Sequence, residues 1–182
     1  ALAAAEKKLD ILSFILFGTI TGIGGGTLRD LLLGIDTVFW VTDTRYLWVC
    51  IGCSAATWYL APMLNSLHRV LLWADAIGLA LFSVLGSAKA LTFGAPPVVA
   101  AVLGIIPATF GALIRDTLLN QEPVLLGPEI YVTAALLGSV SYIALQSFEL
   151  TGFIALPISI ILAFLLRACA IVYDLRLPKY GR

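Results

Sequence analysis

The chain of 182 residues is 60% hydrophobic and 12% charged, with a mean hydropathy of +1.02 and a formal net charge of +0 at pH 7. Soluble domains are about 45–50% apolar and about 25% charged, so a water-facing globule is excluded, and a zero balance leaves no basic surface for nucleic acid. The apolar residues fall into blocks of roughly membrane-spanning length, about 17–25 residues, which predicts an all-α polytopic membrane protein.

Six spans are expected, at residues 11–33, 46–64, 71–91, 98–119, 131–148 and 152–173. The first contains "GIGGGTLRD" (22–30). A dinucleotide fingerprint, G-x-G-x-x-G, would need glycine at position 27 after Gly22 and Gly24, and Thr27 stands there. No strand precedes it and no Gly-Lys-Ser/Thr follows, so a nucleotide loop is rejected. Gly24, Gly25 and Gly26 instead weaken the helix, each by about 1 kcal/mol relative to alanine. They lie roughly 18–22 Å into the span at about 1.5 Å per residue. A break past the middle of the membrane is expected there, with close packing of small residues as the other reading.

The second span holds Cys50 and Cys53, a CxxC with no second pair or histidine beside it; with Cys169 the cysteine count is odd. These read as small packing residues. "NSLHR" (65–69) reads as a loop carrying His68, the one histidine, beside Arg69. In the third span Asp75, Gly78, Phe82, Gly86 and Lys89 share one helical face, so Lys89 either lines a path or anchors at the interface. The fourth span has Pro107, which lacks a donor and kinks a helix, ahead of Gly111. Arg167, near the end of the last span, reads as an interfacial anchor. Lys7, Lys8, His68, Arg69, Arg176, Lys179 and Arg182 fall on one side, against Arg45 alone on the other. The basic side, with the C-terminus, is expected to be cytoplasmic.

The chain repeats itself. Residues 18–34, "GTITGIGGGTLRDLLLG", lie over 104–120, "GIIPATFGALIRDTLLN". Identities fall at Gly18/Gly104, Ile20/Ile106, Gly25/Gly111, Arg29/Arg115, Asp30/Asp116, Leu32/Leu118 and Leu33/Leu119. Generic apolar similarity matches leucines; it does not match Gly, Arg and Asp together. The same shift sets residues 1–5 over 87–91, the end of the third span. We therefore expect a first helix truncated in this sequence, about 15–20 residues being needed to complete it. Residues 1–66 form the first repeat, incomplete at its N-terminus, 67–150 the second, and 151–182 an extra C-terminal helix and tail, all in one membrane domain. Three helices per repeat is an odd number, so the copies insert in opposite orientations, as in many transport proteins.

Ionisable groups inside spans are costly and usually face the interior, water or a partner. Arg29–Asp30 and Arg115–Asp116 each lie near the end of an inverted span, so they are expected either to guard opposite mouths of one path or to snorkel and anchor at the interface. Gly22, Gly24, Gly25, Gly26, Pro107, Gly111, Thr19, Thr21 and Thr109 are the expected pore or bend residues. Arg29, Asp30, Arg115, Asp116, Lys89 and Asp75 are the expected gating or pore-adjacent charges. Nothing activates a serine or threonine, and there is no HExxH or GxSxG, so no enzyme is expected.

At these residues the chain resembles the prokaryotic homologues of the TRIC family, the trimeric intracellular cation channels. Their "GGGxxRD" stands at residues 24–30 and the looser "GxxxRD" at 111–116. "DAIGLALFSVLGSAKAL" (75–91), "NQEPVLL" (120–126) and "RACAIVYDLRLP" (167–178) are similar as well. The resemblance implies two inverted three-helix repeats plus a final helix, a seven-helix fold. It also implies a homotrimer with one pore per protomer between the spans 11–33 and 98–119, lipids at the interfaces, no cofactor, and K⁺ as the permeant ion. Similar bacterial sequences also carry the label of glycine transporter, so a secondary transporter of a small zwitterion is the second reading.

Overall fold

The computed structural model describes residues 2–7, 9–63, 66–121, 123, 127, 130–148 and 150–178. Among them the chain is helical, without strands. In order run α1 (Leu2–Glu6), α2 (Ile11–Leu32), α3 (Phe39–Thr42), α4 (Arg45–Leu60), α5 (Leu67–Thr92), α6 (Pro97–Leu118), α7 (Val132–Ser147) and α8 (Gly152–Tyr173). Helices α2, α5, α6 and α8 are long and apolar enough to cross a membrane. The 16 residues of α4 and of α7 reach about 24 Å. That is short of a hydrocarbon core of roughly 30 Å, and α4 gains a further 3₁₀ turn at Ala61–Met63.

Local chemistry sets the boundaries. Asp10 accepts the Ser13 N–H at 2.9 Å and starts α2, and those bonds hold its exposed carboxyl below the usual aspartate range. Ser66 accepts the Arg69 N–H at 3.4 Å and starts α5 at Leu67. His68 and Arg69 therefore belong to the first turn of a helix, not to a loop. The "GIDTVFWVTDTR" connection contains the one-turn helix α3.

Helices α2 and α6 end in the same way. Leu33, Gly34 and Ile35 donate to the carbonyls of Arg29, Leu31 and Asp30. Leu119, Asn120 and Gln121 donate to Arg115, Thr117 and Asp116. Gly34 (φ 68°) and Asn120 (φ 51°), equivalent in the repeat, take the left-handed conformation that these two residue types tolerate best.

The glycines do not unwind the helices. α2 runs unbroken through Gly22–Gly26 and α6 runs unbroken through Pro107. What the glycines permit is contact. A Cβ on Gly25 would overlap the backbone carbonyl of Pro107, and one on Gly111 would overlap the carbonyl of Thr21. Thr21 and Pro107 are repeat equivalents, as are Gly25 and Gly111. The two helices thus cross antiparallel, backbone to backbone, about a local two-fold axis. This is the inverted repeat expressed as one contact.

Helix α5 is the second spine. Gly86 lies against the Leu103 carbonyl, the one that Pro107 cannot serve as donor, at 2.8 Å from a Cβ position. Gly104 sits where α5 and α7 converge, among Ser83, Ser87 and Ser139. Ser139 Oγ reaches the Ser83 carbonyl at 3.2 Å. On the other side of α7, Gly138 faces Ser83 and Ala163 of α8. The core is accordingly built of alanine, serine and glycine, with Ala76, Ala80, Ala100, Ala134, Ala135, Ala155 and Ala163 buried, while larger apolar side chains face outward. Small residues let helices approach closely where lipid supplies no hydrophobic drive between them.

Gly25→Leu and Gly111→Leu should each cost more than about 3 kcal/mol, because backbone cannot yield as a side chain can. Gly34→Ala meets open space and should cost only about 1 kcal/mol, through its positive φ. Thermal melting of the detergent-purified protein, followed by tryptophan fluorescence, would separate the two classes; equal losses would discount the crossing.

Candidate functional site

The centre of the α2–α6 crossing lies near residues 23 and 109, midway between the contact pairs. Arg29 and Arg115 are each six residues beyond it, about 9 Å along their helices. Because the helices are antiparallel, the two Arg–Asp pairs stand at opposite ends of the crossing.

At one end Asp30 is fully buried. Its Oδ1 accepts from Arg29 Nε at 2.9 Å and Nη2 at 2.7 Å. Lys89 Nζ of α5 donates to both carboxylate oxygens, at 2.8 and 2.9 Å. The Phe39 N–H donates to Oδ2 at 3.0 Å, which ties α3 to the cluster. The Phe39 ring lies 6.0 Å from both the Arg29 and Lys89 cations. Two cations thus enclose one carboxylate. Lys89 is neither a simple anchor nor a free charge; it closes the ion cluster of the first repeat from the second.

At the other end Arg115 Nε donates to Asp116 at 2.7 Å, and Nη1 reaches Asp75 of α5 at 3.4 Å. The Tyr131 hydroxyl faces the Asp75 carboxylate without completing a well-formed hydrogen bond. Arg167 of α8 is buried, 1% exposed. Its guanidinium lies 5.1 Å from the Tyr131 ring centre, and Nη1 reaches the Ile130 carbonyl at 3.4 Å. The expectation that Arg167 anchors at the interface is corrected here: the inward face of α8 carries it into the cluster. Among the described residues, two guanidiniums and two carboxylates meet at this end.

A cavity of about 260 Å³ lies between the crossing and this cluster. Its walls include Thr21, Gly22 and Gly26 of α2, Thr57 of α4, Asp75, Gly78 and Phe82 of α5, and Pro107, Gly111 and Arg115 of α6. A second cavity of about 530 Å³, bounded by Gly22, Ile23, Phe39, Asp43, Arg45, Tyr46, Val49, Cys50 and Phe82, opens on the other side. There Asp43 lies outside the spans. Hydrogen bonds from the Arg45 side chain and backbone hold its carboxyl below the usual range, so it is charged at neutral pH.

The remaining expected positions divide. Gly24 packs on the Ile114 side chain and Gly26 on the Phe39 ring. Thr19 borders a separate depression beside Ile15 and Ile51. Thr109 is buried and donates to the Ile105 carbonyl at 3.0 Å, and Thr21 donates to Phe17. Of the three threonines only Thr21 borders the first cavity. Thr57, Ala74 and Tyr131 were not foreseen from sequence; Tyr131 shows there only as an aromatic at a span end. Among the described residues no cluster of metal-ligating side chains occurs.

Paired inverted helices around a cavity with charged walls are the architecture of membrane transport proteins. Known proteins agree. A family model described as "Glycine transporter" matches residues 1–62 and 72–147. A UPF0126 membrane protein of Vibrio cholerae is 35% identical over 99% of this chain and 76% of its own length. The UPF0126 inner membrane protein YadS of Escherichia coli is 34% identical over 99% and 88%. The crystal structure of the TRIC trimeric intracellular cation channel orthologue from Rhodobacter sphaeroides is 46% identical and superposes with a TM-score of 0.93, covering 96% of this chain and 90% of that one. The chain is an integral membrane protein and belongs to the prokaryotic TRIC family, a grouping that also carries the glycine-transporter and UPF0126 descriptions.

Asp30→Asn removes the carboxylate that two buried or half-buried cations share, and should destabilise the protein by about 3–5 kcal/mol. Lys89→Met, which leaves Arg29 on Asp30, should cost less, and the double variant should recover part of the loss. Chemical or thermal unfolding of the three proteins would check the order; a Lys89→Met loss equal to that of Asp30→Asn would contradict it.

Proposed function

We propose that this protein is a monovalent-cation channel, permeable to K⁺, with one conduction path in each protomer of a homotrimer. The observation that carries the reading is the cavity at the α2–α6 crossing, with the Asp75 carboxylate in its wall, in a fold 46% identical to a TRIC cation channel. The path runs from the Asp75–Arg115 end past Gly78, Gly111 and Thr21, and leaves beside Asp43 and Arg45. Arg115 stays beside the path rather than blocking it, because Asp116 and Asp75 hold its guanidinium. Arg29 is likewise held by Asp30. No stack of carbonyl rings is present in the sequence to strip a hydrated ion, so selectivity among monovalent cations is expected to be weak. The repeats at 1–66 and 67–150 supply the two halves, and 151–182 braces them through α8. The bacterial inner membrane is the expected location, with the C-terminus cytoplasmic and lipids filling the outer grooves.

A second reading, a carrier for a small zwitterion such as glycine, is favoured by the family model's description and by Asp75 and Arg115 lining the same cavity. An ammonium and a carboxylate would find one partner each.

Purified protein in planar bilayers separates them. Single-channel steps in KCl, reversing near the K⁺ equilibrium potential in a KCl gradient, are expected; saturable glycine uptake into vesicles without steps would overturn the channel. Gly78→Leu puts a side chain into open space, the nearest foreign atom being a Phe82 ring carbon at 4.0 Å. It should leave melting unchanged and reduce unitary current severalfold. Asp75→Asn should reduce cation current while leaving the protein folded, since Arg115 keeps Asp116. Unaltered current in both variants would remove this cavity from the path.

A further inference from the structure

Among the described residues the two cavities have just two in common, Gly22 and Phe82. Gly22 contributes only backbone, and a Cβ there would press on Cys50 Sγ at 2.8 Å. The partition between the cavities is therefore one aromatic side chain, the Phe82 ring. We propose that Phe82 is a swinging plug, the side chain that separates the Asp75 vestibule from the Asp43–Arg45 vestibule and opens the path by changing rotamer. The proposal rests on the conduction path argued above and names the residue that closes it.

Local structure suits that role. Phe82 sits on the α5 face that also carries Asp75, Gly78, Gly86 and Lys89. Its sequence neighbours Leu79, Ala80, Ser83 and Val84 are buried, at 1% exposure or less, whereas Phe82 is 45% exposed. The backbone under the ring is thus fixed while the ring itself is loosely held. One turn earlier Gly78 has no side chain and no foreign atom closer than the ring. Exchange between staggered χ1 wells is intrinsically fast and needs no movement of the helix. A benzene ring offers no group to replace water around a cation, so the closed position obstructs a hydrated ion both sterically and by desolvation. Gly22 and Gly78, which border the first cavity together with Phe82, carry no side chain that would hold the ring in place.

Cys50 provides a native reporter, because it borders the Asp43–Arg45 vestibule alone. The test uses the full chain with Cys53→Ser and Cys169→Ser, expressed in bacteria and recovered as right-side-out and as inverted membrane vesicles. A membrane-impermeant trimethylammonium-ethyl methanethiosulfonate is added, and the Cys50 adduct is quantified by mass spectrometry. From the Asp43–Arg45 side, labelling should be equal in the wild-type background and in Phe82→Ala. From the Asp75 side it should be slow in that background, severalfold faster in Phe82→Ala, intermediate in Phe82→Leu, and no faster in Phe82→Trp. Unitary K⁺ current should follow the same order. Equal labelling from the Asp75 side in all four proteins would overturn the plug even if current is present. Absence of current with the expected labelling order would overturn the channel reading and leave the plug in place. Phe82→Leu, a volume-reducing change at a half-exposed site, keeps the test readable if Phe82→Ala fails to fold.

Discussion

The structure depends on two helices touching through bare backbone. Gly25 meets the Pro107 carbonyl and Gly111 meets the Thr21 carbonyl, which sets α2 and α6 closer than side chains at those positions would allow. Everything else is arranged around that distance. Helix α5 packs closely on α6 because Gly86 and Gly104 are also bare at the points of approach, and it reaches α2 through the Lys89 side chain on Asp30. The ion clusters lie where they do because each Arg–Asp pair follows its crossing glycine by one helical turn. In hydrocarbon, helices gain little from apolar contact with one another, so a close crossing with dispersion contacts along its length is the available means of fixing their geometry.

Inversion of the repeat makes the two ends related but not equal. Alignment puts Lys89 against Ala3, which is buried in α1. The lysine that closes the Asp30 cluster is therefore not repeated at the equivalent position of the other half. There the charge is supplied from outside the repeat, by Arg167 of α8, and a second carboxylate enters from α5 as Asp75. Among the described residues two cations surround Asp30, whereas two guanidiniums and two carboxylates gather at the Arg115 end. Helix α5 alone touches both, with Asp75 and Lys89 separated by fourteen residues, or about 21 Å. A displacement of α5 would be felt at both ends at once.

Much of the architecture could be read from the sequence because its signals are long. Spans of about twenty apolar residues, an Arg–Asp pair repeated with its glycine, and an odd number of helices per repeat required no tertiary knowledge. The meaning of "GGG" was less accessible. A break and a close crossing both call for small residues, and only the position of Pro107 against Gly25 decides for the crossing. Helix α3 was hidden because four residues carry no period. The start of α5 was hidden because His68 and Arg69 resemble loop residues until Ser66 is seen to cap them. Arg167 resembled an anchor because a helix shows its composition in sequence but not which face turns inward. Thr57 and Tyr131 join the site through tertiary contact alone.

The unequal ends bear on how a cation would pass. On the Asp75 side a permeating ion meets a carboxylate whose charge is partly offset by Arg115 at 3.4 Å, and a tyrosine hydroxyl beside it. That is a shallow attraction, able to concentrate cations without trapping them. On the far side Asp43, half-buried, is bonded at 2.7 Å to the exposed Arg45, and the Lys89–Asp30–Arg29 cluster stands behind Phe39. Exposed pairs are weak and salt-screened, so the cluster's surplus positive charge is the stronger field there. A cation leaving on that side would cross a barrier that an incoming one meets first.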